Sequence, residues 1–199
     1  YSCGATTRKG TVSDGTTVSD YSFDEIERKS SINAGFLYCD YKGTRIQMVD
    51  TPGYADFFGE VIAGIRAVDS AVLVVDAAAG VEVGTERAWQ LLEENNLPCL
   101  IFLNKLDKEG ADIKKALSDI QNTLSKRAMM IESLDEPDLV EAIAESDDAL
   151  LEKYLEGAKL SEEELKSGLR QAVIKRKVFP VIAGSALSDK CIPQILETV

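Results

Sequence analysis

The chain has 199 residues, of which 45% are apolar, and this is enough for one α/β domain with an insertion and a single buried core. It contains no histidine, and its four cysteines include no CxxC pair, which argues against a zinc site and against Ser-His or Cys-His nucleophilic catalysis. The net charge of −12 is concentrated in residues 132–166, where thirteen acidic residues accompany three lysines, and such a surface disfavours direct contact with nucleic acid.

The start of the chain gives no sign of export or of a membrane partner. Tyr1-Ser2-Cys3-Gly4 holds neither an initiator Met nor a signal peptide, which predicts that the sequence begins inside a longer protein. No apolar run approaches the roughly 20 residues that a membrane-spanning helix requires. We interpret Cys39 and Cys99, which lie in strand-like runs, as buried hydrophobic side chains in a reducing cytoplasm.

A hairpin and a helix are predicted first. Residues 34–41 and 44–50 are strand-like runs joined at Lys42-Gly43, a pair of residues typical of a hairpin turn. Apolar residues then recur at helical spacing and predict an amphipathic helix over residues 55–68.

Strands and helices alternate in the next part of the chain. Residues 71–75 and 99–103 are continuous apolar runs, as expected of strands that are covered on both faces. Helices are predicted through Trp89 and from Ile113 to Leu124. The alternation predicts a doubly wound, mostly parallel sheet whose ligands bind at the carboxyl ends of the strands.

Residues 129–177 are predicted to be a helical insertion between residues 1–128 and 178–199. Ser161 and Glu164 form a capping box at the start of its last helix, and we interpret the acidic block as solvated helix faces rather than as a docking surface. A strand returns at residues 178–183, where Pro180 predicts a position at the edge of the sheet. The last residues begin another helix.

The first motif with chemical content is Asp50-Thr-Pro-Gly53, at the end of a predicted strand. Asp50 offers a carboxylate suited to holding a water of Mg²⁺, and Gly53 lets a backbone N–H approach a γ-phosphate oxygen closely. Taken alone the motif is weak, because turns favour both residue types.

Two later motifs are typical of guanine recognition. In Asn104-Lys105-x-Asp107 the carboxylate of Asp107 can accept two hydrogen bonds from a guanine edge, which adenine cannot offer. The stem of Lys105 can lie along the base, while Asn104 ties neighbouring loops together. Gly184-Ser185-Ala186 brings small residues and a backbone N–H to the base carbonyl. All three motifs, in this order and each after a predicted strand, predict a guanine-nucleotide site.

The loop that cradles the β- and γ-phosphates in such sites has no counterpart in residues 1–199, because no G-x-x-x-x-G-K-[ST] occurs there. We therefore expect a longer parent protein to supply this loop and the strand before it. We also expect residues 1–199 alone neither to fold stably nor to bind GTP tightly, since losing a central strand leaves buried backbone groups unpaired.

These motifs, with Asp56-Phe57 after the first, resemble the GTPase domain of the bacterial elongation factor G family. Tyr54 and the run 80–89 resemble its elongation factor G-like paralogue branch, and residues 152–169 resemble the helical insert of that family. The resemblance implies a P-loop GTPase fold, GTP or GDP with Mg²⁺ as cofactors, and ribosome-stimulated hydrolysis in the cytoplasm. It implies the large-subunit factor-binding site and its stalk proteins as partners. The implied GTP-binding residues are Asp50, Pro52, Gly53, Asn104, Lys105, Asp107, Ser185 and Ala186.

The chain departs from the family pattern at three further points. Ser31 stands where the family's first switch has a Thr, and its hydroxyl can still bind Mg²⁺ together with Asp50. Tyr54 follows Gly53 at the position where the family has a water-orienting His. The resemblance therefore implies Tyr54 and Gly53 as the catalytic residues. Either the Tyr54 hydroxyl orients a water or a phosphate oxygen, or the ring packs beside the switch. The strands of the family's insert are missing between about 127 and 130.

Three functions remain open at this point. The leading hypothesis is the GTP-binding domain of a translational GTPase that couples hydrolysis to a ribosomal step such as translocation. A second is a GTP-binding switch with weak hydrolysis, including a ribosome-protection or recycling factor. A third is an interaction fragment that binds no nucleotide.

Overall fold

The computed structural model describes residues 4–198, so Cys3 lies outside the described residues. The chain divides into two compact units, with the division between Val68 and Asp69. None of the helices in residues 4–198 has both the length and the apolar character that a membrane crossing would need.

The first unit contains an antiparallel hairpin and two helices. Lys42 and Gly43 have φ angles of 47° and 83°, the left-handed conformation of a type I′ turn, so the predicted hairpin is confirmed. The predicted helix at 55–68 is also confirmed, although it opens with a 3₁₀ turn over Ala55–Phe57 and its α-helical part ends at Ile65. A short helix that the sequence analysis missed precedes the hairpin. The elements are α1 Phe23–Arg28, β1 Gly35–Tyr41, β2 Thr44–Asp50 and α2 Phe58–Ile65.

The second unit is built on a four-stranded sheet in the order β3-β4-β6-β5, in which every neighbouring pair is parallel. This confirms the predicted α/β class with a parallel sheet. The strands are β3 Ala71–Asp76, β4 Cys99–Asn104, β5 Ala128–Met130 and β6 Phe179–Ala183. The helices are α3 Val83–Glu94, α4 Ile113–Thr123, α5 Pro137–Ala144, α6 Asp148–Leu155, α7 Glu162–Ile174 and α8 Ile192–Thr198.

The prediction that Pro180 places its strand at the edge of the sheet is wrong, because β6 lies between β4 and β5. Pro180 pairs with Met129 of β5, while the pairing with β4 begins one residue later, at Val181. Backbone N–H groups alternate between the two sides of a strand, and that of Gly184 bonds to Leu103 of β4. The side of Pro180 that lacks an N–H therefore faces β4 before the ladder begins.

Of the two apolar runs, only β4 is covered on both faces. Its first five residues are buried, and burial raises the pKa of the Cys99 thiol to about 12, as expected of an inert core cysteine. Strand β3 is an edge strand of its sheet, and Val72 and Val74 are exposed, so the prediction of two covered faces is wrong there. Cys39 is buried as predicted.

The segment from residue 129 is not helical throughout, because β5 reaches Met130. Three residues are too few to produce a strand pattern in the sequence, and their state depends on pairing with β6. Beyond them the segment is helical as predicted, and its three helices, α5, α6 and α7, form around their own apolar cluster. Ser161 and Glu164 make the predicted capping box at the start of α7. The buried members of the cluster are Leu139, Ile143, Leu160, Leu165, Ala172 and Val178.

Candidate functional site

In the second unit, the loops after β4 and β6 lie side by side. The two strands are parallel neighbours, with Leu103 paired to Ala183, so Asn104-Lys105-x-Asp107 and Gly184-Ser185-Ala186 leave the same edge of the sheet. The order of the strands thus brings together five predicted site residues: Asn104, Lys105, Asp107, Ser185 and Ala186.

Asn104 ties the two loops together, as the sequence analysis predicted. Its Oδ1 accepts a hydrogen bond from the backbone N–H of Lys105 at 2.7 Å and another from that of Ala186 at 2.9 Å. The N–H of Leu106 donates to the carbonyl of Gly184 at 3.1 Å. Lys105 has a φ of 65°, a left-handed backbone conformation that is unfavourable for a residue with a Cβ. The hydrogen bonds between the two loops hold it in this conformation.

Ser185 and Asp107 connect the motifs through their side chains. The Ser185 hydroxyl donates a hydrogen bond to Oδ1 of Asp107 and accepts one from the N–H of Ser188 at 3.2 Å. Ser185 is buried and Asp107 is exposed. The buried Ser185 hydroxyl therefore orients the Asp107 carboxylate, which itself faces solvent.

A glycine is required at position 184 because two loop segments, at Gly184 and at Lys190, approach each other closely. A Cβ at this position would collide with the carbonyl oxygen of Lys190 and would lie 3.1 Å from Cε2 of Phe102. The same approach forms the backbone bridge between Ser185 and Lys190. Gly184 thus permits the geometry that buries Ser185 beneath Asp107.

The sequence analysis missed Asp76, the last residue of β3. Its Oδ2 accepts hydrogen bonds from Nζ of Lys105 at 3.1 Å and from Nζ of Lys108 at 3.3 Å. Its Oδ1 accepts from the N–H groups of Ala78 at 2.9 Å and Ala79 at 3.2 Å. An acidic residue ending an apolar strand was the available signal, because such a residue meets the loops at the sheet edge.

In the first unit, a cleft of about 330 Å³ brings together three predicted residues, Ser31, Gly53 and Tyr54. It also contains a residue that the sequence analysis missed, Asp20. The Asp20 side chain is only 9% exposed, and its Oδ1 has no hydrogen-bond partner within residues 4–198. A buried carboxylate oxygen without a donor is costly, and a cation would offset that cost. The other lining residues are Val12, Lys29 and Ser30.

Asp50 lies beside Asp20 at the end of β2. Local desolvation raises the pKa of Asp50 above its ordinary value, although the residue as a whole is exposed. A hydrogen bond from the Ser19 side chain opposes this shift, and the charge of Asp20 adds to it. Two neighbouring carboxylates create a negative potential that favours a cation. Pro52, the remaining residue of this motif, is fully buried.

Gly53 and Tyr54 are both open to solvent. A Cβ at Gly53 would meet no atom within 4 Å, so packing within the chain does not explain a glycine there. Tyr54 is 63% exposed and precedes the 3₁₀ turn, in which its carbonyl accepts a bond from the N–H of Phe57 at 3.1 Å. Its ring is therefore not part of a core.

The two residues that follow Ser31 are hydrogen-bonded to a carboxylate that the sequence analysis also missed. Glu25 of α1 is 2% exposed, and its Oε1 accepts the N–H groups of Ile32 and Asn33, each at 3.0 Å. Its Oε2 accepts from the N–H and the hydroxyl of Ser22. The bond from Asn33, with those from Ser22 and Ile32, outweighs burial and lowers the pKa of Glu25 to about 2.

Comparisons with known proteins give this geometry a family context. The sequence profile described as the Elongation factor Tu GTP binding domain matches residues 1–199. Elongation factor G of Thermotoga maritima is 35% identical over 234 aligned residues, covering 96% of this chain and 34% of the relative. Elongation factor G of Thermotoga sp. strain RQ2 is 34% identical with the same coverage. A crystal structure of a protein from Thermus thermophilus matches with a TM-score of 0.91 at 31% identity, covering 99% of this chain and 36% of its own.

The resemblance to elongation factor G inferred from the motifs is confirmed by these matches. The chain spans 34% of the length of the Thermotoga maritima relative. The alignment with it covers 234 residues, more than the 199 of this chain, so the relative carries segments inside the aligned region that this chain lacks.

Proposed function

The chain belongs to the Elongation factor Tu GTP binding domain family, and we propose that it binds guanine nucleotides in a parent protein that hydrolyses GTP at a ribosomal step. The single observation that carries this proposal is the hydrogen-bonded unit of Asn104, Asp107, Ser185 and Ala186. It holds the solvent-facing carboxylate of Asp107 at one edge of the sheet. A carboxylate in that position can accept hydrogen bonds from the N1–H and the exocyclic amine of a guanine.

Asp107 is the residue proposed to determine base specificity. Guanine presents N1–H and an exocyclic amine to a carboxylate, whereas xanthine has a carbonyl in place of that amine. In the parent protein, Asp107→Asn should shift preference from GTP towards xanthosine triphosphate, because an amide donor matches the 2-oxo group. Competition binding with GTP, xanthosine triphosphate and ATP measures this shift. Glu109→Gln removes a nearby exposed charge and serves as the control. Unchanged GTP preference in Asp107→Asn would remove Asp107 from the site.

Ser31 and Asp50 are proposed to hold Mg²⁺, directly or through water. The unpartnered Oδ1 of Asp20 and the neighbouring Asp50 carboxylate support a cation at this cleft. Within residues 4–198 no three His, Cys, Asp or Glu side chains form a metal site, so nucleotide phosphates and water would complete the coordination. Mg²⁺ bound there would neutralise phosphate charge. Asp50→Asn and Ser31→Ala should raise the Mg²⁺ concentration needed to bind a non-hydrolysable GTP analogue.

The proposed catalytic residues are Tyr54 and Gly53. The open space at Gly53 would let its N–H approach a γ-phosphate oxygen, and the exposed Tyr54 hydroxyl would orient a water. A phenol is a poorer base than an imidazole, which favours the second candidate function, a GTP-binding switch with weak hydrolysis. Slow turnover with intact GTP affinity distinguishes the switch from an efficient GTPase.

The partners and the domain boundaries are further parts of the proposal. We propose the ribosomal large-subunit factor site and its stalk proteins as partners, and the cytoplasm as the compartment. We also propose residues 129–177 as an acidic insertion in a GTPase domain formed by 1–128 and 178–199, supported by the separate apolar cluster of its helices. Because residues 1–199 contain no G-x-x-x-x-G-K-[ST] loop, activity should be measured in the parent protein.

A further inference from the structure

The carboxylate of Asp76 occupies a fixed place next to the guanine motif. Asp76 ends β3 and is paired in register with Asn104, the first residue of that motif. The N–H of Ala77 donates to the carbonyl of Asn104 at 2.9 Å, which continues the ladder one step beyond the strand. Sheet geometry therefore determines where the Asp76 carboxylate lies, opposite Asn104 and next to the residue that follows it, Lys105.

The two oxygens of Asp76 have different kinds of partner. Oδ1 is bound by the backbone N–H groups of Ala78 and Ala79, which belong to its own turn. Oδ2 is bound by the Nζ atoms of Lys105 and Lys108, whose side chains are more than half exposed. The side chain of Asp76 is only 14% exposed. Asp76 is thus the rigid member of the group, and the lysine side chains are the parts that it can order.

Asp76 is an anion under ordinary conditions. Burial alone would raise its pKa, but the backbone bonds from Ala78 and Ala79 and the bonds from the two lysines together lower it. A partly buried carboxylate with a fixed orientation holds an ammonium group more firmly than a surface carboxylate does, because solvent screens the pair less.

We propose, on the basis of the proposed function, that Asp76 is a positioning residue that orders Lys105 for contact with the guanine base. A free lysine side chain samples many rotamers, and binding must restrict them. Ordering Lys105 before the nucleotide arrives removes part of that cost, equivalent to about 2- to 10-fold in affinity. The Nζ of Lys108 competes with that of Lys105 for Oδ2 of Asp76. If the Lys108 side chain is removed, Lys105 is the one lysine of the pair that still binds this oxygen.

A double-mutant cycle in the parent protein tests the coupling. Asp76→Asn keeps an oxygen acceptor for Ala78 and Ala79 but loses the charge, and it should weaken GDP binding by about 2- to 10-fold. Lys105→Gln should also weaken binding, and adding Asp76→Asn to it should cause no further loss. Lys108→Gln is the matched control and should leave GDP affinity unchanged or improve it. Independent, multiplicative losses from Asp76→Asn and Lys105→Gln would overturn the positioning role.

A second measurement needs neither nucleotide nor a substitution. Amine acylation followed by mass spectrometry should label Lys105 several-fold more slowly than the exposed Lys114, since the Nζ of Lys105 must leave its hydrogen bond to Asp76 before it can react. Equal labelling rates in the unmodified parent would overturn the proposal even if Asp76→Asn fails to fold. If Lys105 is labelled slowly in the unmodified parent but the parent binds no GDP, the ordering of Lys105 by Asp76 is supported and the proposed function is contradicted.

Discussion

The hydroxyl of Ser185 donates a hydrogen bond to Oδ1 of Asp107, across 78 residues of sequence. Neither partner comes from a regular element, yet both are fixed, because the loops carrying them leave the adjacent strands β4 and β6. The bond occupies one lone pair of the Asp107 carboxylate and leaves its other lone pairs facing solvent. It joins two motifs that are separate in the sequence into one hydrogen-bonded unit.

Removing this hydroxyl should weaken nucleotide binding without abolishing it. In the parent protein, Ser185→Ala should lower GDP affinity by about 2- to 10-fold, because a typical intramolecular hydrogen bond contributes about 0.5–1.5 kcal/mol. Isothermal titration with GDP measures the change. Ser188→Ala is the control, since Ser188 contributes its backbone N–H and not its hydroxyl to Ser185. Equal affinities for the unmodified protein and Ser185→Ala would mean that Asp107 needs no orientation from Ser185.

Changing Tyr54 should alter hydrolysis more than binding. Groups that orient or deprotonate a water typically contribute about 10²–10⁴-fold to rate. Tyr54→His in the parent should therefore raise ribosome-stimulated GTP turnover, while GTP affinity stays constant because the residue is exposed. Single-turnover hydrolysis with and without ribosomes measures this. If Tyr54→Phe and Tyr54→His both turn over GTP like the unmodified protein, position 54 has no part in the chemistry.

The Glu25 carboxylate should stabilise the segment that carries Ser31 in a pH-dependent way. The folded pKa of Glu25, about 2, lies below the ordinary value of 4.5, so its contribution is complete above pH 4.5 and is lost as pH falls towards 2. Hydrogen-exchange protection of Ile32 and Asn33 should fall over that interval.

The matching variant is Glu25→Gln, which should lower the same protection at pH 7 because an amide is a weaker acceptor than a carboxylate for two N–H groups. Glu27→Gln, an exposed change on the same helix, is the control. Protection in the unmodified protein that stays constant from pH 6 to about pH 2 would contradict the assignment of these bonds to an ionised Glu25.

Two helical glycines should respond oppositely to alanine. A Cβ at Gly168 of α7 would lie 2.5 Å from Cγ2 of Ile143 and 2.8 Å from Cδ1 of Leu150, so Gly168→Ala should destabilise the fold by about 1–3 kcal/mol through overpacking. A Cβ at Gly84 of α3 would meet nothing within 4 Å. Gly84→Ala should be neutral or stabilising by up to about 1 kcal/mol, because it restricts the unfolded chain. Urea unfolding compares the two variants, and equal midpoints would contradict the packing described for α7.

Local patterns were sufficient to predict most elements. The type I′ turn at Lys42-Gly43, the alternation of strands and helices, and the capping box of Ser161 and Glu164 each depend on residues a few positions apart, and all three are present. The family could be recognised for the same reason, since each motif is a short string after an apolar run. The roles of the individual site residues stay predictions.

Local sequence patterns were therefore enough to predict most of the elements, the class of fold and the motifs that identify the family. Tertiary structure decided which strands became neighbours and which side chains share a site. Pro180 is compatible with a central strand only because its missing N–H precedes the ladder with β4. Asp76 and Lys105 are 29 residues apart and meet only because β3 pairs with β4. Local propensity carries no record of such pairings, since they depend on the order of strands in the sheet.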